Sequence, residues 1–549
     1  MVLYYNGTII TMRGETPEIK EAVLTDGGKI LFAGTMAEAE RTEGFCADRV
    51  TKRDLNGAVM LPAFLDPHSH ITAVAQTFGY AALAEVKSFE ELVQCLSAYK
   101  DSSSVGPGEW IVGVGYDHNF LKEKRHPDKT LLDRAFPDNP VMISHASGHM
   151  GVVNSKALAL LSITAETKNP EGGVIGRMAA AGNDSCKGTE PNGYLEETAF
   201  TRAGSIIPEP EKEQTVRQFL QAQELYLSGG IATIQDGMTG KKEWSMLKYM
   251  AEHHLLSADV AAYADMKSDK ELLNENPDYT EGYRDHLRIG GYKIFLDGSP
   301  QGRTAWMSRP YENNGAGEDS GYCGYPVYKD SETEQFFETA FRENRQILAH
   351  CNGDAAAEQM INACEKAKRA TGCDLSKIRP VMIHAQLVRE DQLKRMADLF
   401  MTASFFTAHT WYWGDIHLKN FGRDRAVKIS PAKTALKEHV NVTLHQDSPV
   451  IKPDMLETIW CAVNRRSRSG VLMGEEEKLT PYEALKAVTE SAAYQYGEEA
   501  RKGSIEPGKQ ADFVILDKDP LNVPSEEIKE IKVLETIKDG VTLYRAERA

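Results

Sequence analysis

Two histidines one residue apart, His68 and His70, close the apolar run of Leu61-Pro-Ala-Phe-Leu-Asp-Pro-His-Ser-His70. Alternate side chains of a strand share a face, so at the end of a barrel strand this pair can offer two imidazoles to one metal. Two unrelated polar residues in a loop would show the same spacing. Three later segments also end apolar runs with ligand-type side chains: His350 after Ile347-Leu-Ala, His384 after Pro380-Val-Met-Ile, and Asp447 after Val440-Asn-Val-Thr-Leu-His-Gln. The set supplies imidazole nitrogens and a carboxylate, as a hydrolytic divalent ion requires. Such an ion lowers the pKa of its water from about 15.7 to about 7, giving a nucleophile at neutral pH. Taken singly, His350 and His384 are equally well read as satisfied polar residues at strand ends.

Lys293 lies inside Ile289-Gly-Gly-Tyr-Lys-Ile-Phe-Leu-Asp297. A lysine there is ordinarily an edge-strand or surface charge. Buried and unpaired, its ammonium would be costly and would tend to neutralise.

In their order along the chain these segments resemble the amidohydrolase superfamily, with wording similar to its amidohydrolase 3 branch. The matching pieces are the HxH of strand 1, Lys293 of strand 4, His350 and His384 of strands 5 and 6, and Asp447 of strand 8. The resemblance covers nearly the whole chain. It implies an α/β fold: a (β/α)8 TIM barrel, a small β-sandwich built from both termini, and an inserted subdomain. It also implies a metal centre of His68, His70, Lys293, His350, His384 and Asp447 that holds one or two Zn2+ per chain. Nitrogen and oxygen ligands suit manganese, iron or cobalt as well. Lys293 would be carboxylated by carbon dioxide and bridge two metals; the rival is an unmodified lysine beside one metal.

The implied activity is metal-dependent hydrolysis of a non-peptide C–N bond in a small-molecule N-acyl or N-formyl amide. Metal-bridged hydroxide would attack the carbonyl, and Asp447 would carry the proton to the leaving amine. A deaminase of the same superfamily comes second, because such enzymes typically carry His-Ala-Gly-Glu after strand 5, whereas Cys-Asn-Gly follows His350 here. A non-catalytic regulator on this scaffold is a third reading, since fold does not fix function. A homodimer is what the resemblance suggests.

Ala63 and His445 depart from the family pattern, standing where a glycine and a small residue are usual. His445 either touches the metals or substrate, or packs behind the ligands. Weaker substrate candidates are His149 in His145-Ala-Ser-Gly-His149, and His409 and Trp411 in the aromatic stretch Phe405–Trp413. Asp297 and Arg303 complete the set. Each has a plain structural alternative: a turn histidine, loop packing, a salt bridge.

The elements that must position these residues are legible in outline. Residues 1–58 and 500–549 read as short strands with hairpin signals at Asn6-Gly7 and Asp26-Gly27-Gly28, and the resemblance implies that they combine into the composite sandwich. Residues 59–75 and 206–499 alternate strand and helix, the pattern of a parallel barrel. Strands are expected at Met60–Leu65 and Ile231–Gln235, and near 258–263, 291–296, 346–349, 380–383, 401–405 and 440–444. Thr480-Pro-Tyr-Glu483 is a helix start. Residues 76–205 are too long for one strand–helix unit. They read as a subdomain over the barrel mouth, with a helix capped by Ser88, strands at Trp110–Gly115 and Pro140–Ser144, and Gly-rich pieces from Glu171 and Pro191.

A net charge of −17 argues against nucleic acid or an anionic membrane as a partner. The 8 cysteines are scattered without a CxxC pair, as in a reducing cytoplasm. The N-terminus has no basic segment followed by an apolar one, and no stretch approaches the ~18 apolar residues of a membrane span. A cytoplasmic protein is expected.

Overall fold

The computed structural model describes residues 1–46, 48–170, 172–178, 190–312 and 321–547. Glu171, which opens one Gly-rich piece, and Cys186 lie outside them. The chain forms two compact units, Met1–Thr72 with Gln223–Ala549, and Ala73–Ala222.

The larger unit contains an eight-stranded parallel sheet whose spatial order follows the chain. Its strands are β1 (Phe64–Leu65), β2 (Ile231–Thr239), β3 (Asp259–Asp265), β4 (Leu287–Phe295), β5 (Gln346–Cys351), β6 (Val381–His384), β7 (Thr402–Phe405) and β8 (Asn441–Leu444). They are buried almost throughout, as parallel strands covered on both faces must be. Helices such as Lys241–Glu252, Asp330–Arg342, Asp354–Thr371 and Glu390–Asp398 run between them. The sheet curls. Just past β8 the Asp447 N–H donates to the His68 carbonyl (3.3 Å), and the His70 N–H donates to the Ser448 carbonyl (2.9 Å). The helix Pro481–Ala487 opens at Thr480, whose hydroxyl accepts the Glu483 N–H while the Glu483 carboxylate accepts the Thr480 N–H.

Strands from both ends of the chain join in a second, mixed sheet of eight strands, in which Phe513–Leu516 pairs with Val59–Pro62. Tyr4, Ile9, Met60, Phe513 and Ile537 pack together against it. Two expectations fail in this region. Asn6-Gly7 is no hairpin: Val2–Ile10 is one strand, bulged between Tyr5 and Ile9 and paired on both sides of the bulge with Ile19–Asp26. A Cβ on Gly7 would sit 2.4 Å from the Ala58 carbonyl oxygen, so the glycine serves this close approach. The single strand expected over Met60–Leu65 is also divided. Val59–Pro62 belongs to the terminal sheet, the Ala63 N–H donates to the Asp512 carbonyl, and only Phe64–Leu65 enters the parallel sheet. Asp26-Gly27-Gly28 does turn a hairpin, with positive φ at both glycines.

The smaller unit has a six-stranded sheet in the order Gly173–Arg177, Pro191–Glu197, Met150–Val153, Val141–His145, Ile111–Tyr116, Ala81–Ala82. Leu83, Leu92, Leu96, Ile111 and Ile143 belong to its core, which includes the helix Phe89–Ser102 begun by Ser88. Among the described residues no helix is long and apolar enough to cross a membrane.

Candidate metal centre

All six expected ligand residues lie at or just beyond the C-terminal ends of parallel strands, where register aligns them. Phe295 pairs with His350, and Cys351 with His384. The HxH pair does not converge by strand alternation. β1 ends at Leu65, and His68 and His70 sit in the bend that follows. There the Asp66 carboxylate accepts the His68 N–H (3.3 Å), and His70 makes a bridge to Asp236. The two rings still meet, with centroids 5.0 Å apart.

Asp447 stands at the meeting point. Its Oδ1 lies 3.4 Å from His68 Nε2 and 3.3 Å from His70 Nε2, and its Oδ2 lies 3.8 Å from His384 Nε2. Lys293 Nζ is 3.5 Å from His68 Nε2. Ligand atoms about 2.1 Å from a tetrahedral ion lie about 3.4 Å from one another, so these separations fit a shared cation. His68, His384 and Asp447 offer ligand atoms all within 4.8 Å of one another. His350 joins through its ring, with its centroid 4.5 Å from that of His384.

The far ring nitrogens of His68, His350 and His384 also have partners, and where the partner can only accept, as for His68 and His350, it fixes the tautomer. Gln235 Oε1 accepts from His68 Nδ1 at 2.6 Å, and the Gln235 amide N–H donates to the Pro67 carbonyl. With Nδ1 protonated, His68 Nε2 presents a lone pair. His384 Nδ1 lies 3.2 Å from His445 Nε2, and His445 Nδ1 lies 2.8 Å from Ser404 Oγ. His445 therefore orients His384 from behind. Asp297 does the same for His350 at 3.2 Å, while its two oxygens also accept the N–H groups of Trp306, Asn352 and Gly353. Gly237 makes room for the His68 ring, since a Cβ there would meet His68 Cε1 at 2.5 Å.

Burial, reinforced by the Lys293 charge, holds His68 well below the imidazole range; burial and the His350 charge do so for His384. Both are thereby kept in the neutral form that binds metals. Burial would raise Asp447, but the His70 hydrogen bond and the surrounding imidazoles hold it well below the carboxylate range. Burial pushes the fully enclosed Lys293 amine down to about 8. Asp66 is pushed up to about 8 by burial, against the hydrogen bonds from His68 and Ser69.

The remaining candidates have partners of their own, and His409 is near enough to Asp447, His445 and His350 for their charges to act on its ring. His409 is buried against Phe406 and Trp413, with Nδ1 3.0 Å from His417 Nε2. Trp411 packs edge-on against Trp460, with the Lys529 amine 5.1 Å from its ring. The Arg303 guanidinium lies 5.4 Å from the Tyr311 ring centroid. His149 belongs to the smaller unit, where Nδ1 lies 3.0 Å from Glu197 Oε2. Gln235, Asp66 and Asp236 went unnoticed in the sequence. The polar pair Gln235-Asp236 ending the Ile231-Ala-Thr-Ile234 strand run was the available signal.

A model of the amidohydrolase family matches residues 52–544. The chain belongs to that family, a class of metal-dependent hydrolases. It is 27% identical over 545 residues to the N-substituted formamide deformylase of Arthrobacter pascens, a match covering 95% of each chain. A candidate amidohydrolase of Bacillus subtilis (strain 168), YtcJ, is 26% identical over 550 residues, covering 99% of each. The crystal structure of an uncharacterized metal-dependent hydrolase from Pyrococcus furiosus superposes with a TM-score of 0.72 at 27% identity, covering 95% of this chain and 100% of that one.

Proposed function

We propose that the protein hydrolyses the C–N bond of a non-peptide amide, an N-formyl or N-acyl amine, releasing the amine and the carboxylate. The observation that carries this reading is the convergence of His68, His70 and His384 on Asp447, with Lys293 beside them. The similarity to a formamide deformylase supports the substrate class. The curled sheet is read as a (β/α)8 barrel, its edge strands joined through His68–Asp447 and His70–Ser448. Its strand ends then form the active face.

His68, His70, His350, His384 and Asp447 would hold one or two divalent ions, zinc among them, with Lys293 as a carbamate between two. The neutral Lys293 amine is the form that adds carbon dioxide, losing a proton as it becomes an anionic ligand. Bound there, the metal would acidify water and polarise the amide oxygen. Asp447 takes the proton of the attacking water and returns it to the departing nitrogen, which cannot leave as an amide anion. Gln235, Asp297 and His445 hold the imidazoles in the tautomer and orientation this needs.

The test is a product assay of zinc-loaded protein on N-formyl and N-acetyl amines beside amino-substituted heterocycles. Release of amine with formate or acetate is the expected result. Ammonia from a heterocycle would make the protein a deaminase, and a folded, metal-loaded protein inert on both would overturn the enzyme reading.

A further inference from the structure

A second group of metal-type ligands lies wholly inside the unit Ala73–Ala222. The strands Ile111–Tyr116 and Val141–His145 run parallel, and Tyr116 pairs with His145 across them. The ladder is bulged between Val114 and Tyr116, where Gly115 has a φ of 95°. Parallel strands bring like ends together, so Asp117 and His118, just past one strand, come beside His145, the last residue of the other.

His118 Nδ1 lies 3.2 Å from His145 Nε2, His145 Nε2 3.3 Å from Asp117 Oδ1, and His118 Nδ1 3.8 Å from Asp117 Oδ1. These three separations are close to those of 3.3–3.8 Å around Asp447, and they bracket the ~3.4 Å edge of a tetrahedral site. The surroundings suit ligands too. Asp117 Oδ1 accepts the backbone N–H of Asn119 at 2.8 Å and its side-chain amide at 2.9 Å. His118 stacks on His126, with centroids 4.0 Å apart, and His126 Nδ1 lies 2.9 Å from the Tyr116 hydroxyl. Ser147 Oγ lies 3.0 Å from His145 Nδ1.

We propose that Asp117, His118 and His145 form a separate mononuclear site for a divalent transition metal, with two imidazoles, one carboxylate and an open position. Without metal, His145 Nδ1 accepts the Ser147 N–H (3.1 Å), and the ring proton on Nε2 points at Asp117 and His118. A metal on Nε2 would require the other tautomer, the one ring proton passing through solvent to Nδ1, where Ser147 Oγ would accept it and the Ser147 N–H would give up its bond to the ring. Asp117 and His145 are buried while the His118 side chain is 28% exposed, so the ion enters over His118. The site ties the turn after one strand to the end of its neighbour.

Crystals of the full chain grown with Zn2+ and measured across the zinc absorption edge test this directly. The site predicts an anomalous peak about 2.0–2.2 Å from Asp117 Oδ1, His118 Nδ1 and His145 Nε2. Clear density for these side chains with no peak between them would overturn it. In solution, His118→Gln changes a partly exposed side chain. It should lower zinc per chain by about one equivalent relative to wild type. Equal zinc in a folded variant would make the cluster a hydrogen-bonded histidine–aspartate network and nothing more.

Discussion

Asp447 is asked to do two things, and one substitution separates them. Asn keeps its volume and one oxygen near His68 and His70 but cannot accept a proton. Asp447→Asn should lower kcat on N-formyl amides by about 10²–10⁴-fold, read in steady-state kinetics on zinc-loaded protein. An unchanged kcat would remove Asp447 from proton transfer. Lys293 gives a pH prediction. Burial holds its amine near 8, so the neutral form grows as pH rises through that value while an unburied lysine stays charged to about 10.4. At fixed dissolved CO2, recovery of activity by metal-free protein given zinc should speed up from pH 7 to pH 9. Lys293, the histidines and Asp447 were legible because their types are unusual after apolar runs. His445 reads in the sequence as a residue that can pack behind the ligands, but which ring it or Gln235 orients depends on which imidazole nitrogen each faces, and spacing does not encode that.

The strands act as a jig: parallel register puts His350 opposite Phe295 and His384 opposite Cys351, so side chains distant in sequence share one end of a sheet. Alternating strand and helix text was enough to read that arrangement. The first strand was harder. Its apolar run continues unbroken from Val59 to Leu65, and only the pairing partners reveal that the run serves two sheets. The same holds at Asn6-Gly7, where a turn-type dipeptide makes a bulge because the residues on both sides of it pair with one strand. At this scale Gly237 is the sensitive position of β2. Gly237→Ala would push a methyl into the His68 ring. It should weaken metal binding about 10–100-fold, measured by competition with a chelator, while the protein stays folded. Unchanged affinity would show that His68 has room to move.

Across the whole molecule, the proposed metal ligands come from both ends of a long sequence interval, His68 to Asp447, and the terminal strands pair with one another outside it. A metal that binds only this folded arrangement must stabilise it. Free zinc at a thousand times its Kd contributes about 4 kcal/mol. Thermal melting with and without a chelator should therefore show a lower Tm on metal removal, and His68→Ala should shrink the difference. A chelator-insensitive Tm in both would speak against metal at the strand ends. The long 76–205 interval was visible as an excess over one strand–helix unit. Its mixed sheet was not, because Ala81–Ala82 and Met150–Val153 are short strands recognisable only by their pairing.

Whether Lys293 and the histidines around Asp447 share metal is tested most directly by zinc content per chain. Wild type and Lys293→Ala are purified side by side in zinc and bicarbonate, with folding checked by circular dichroism. The variant should hold fewer ions than wild type by at least about one equivalent. Equal content in two folded proteins would contradict it and leave Lys293 a buried amine with no part in the centre.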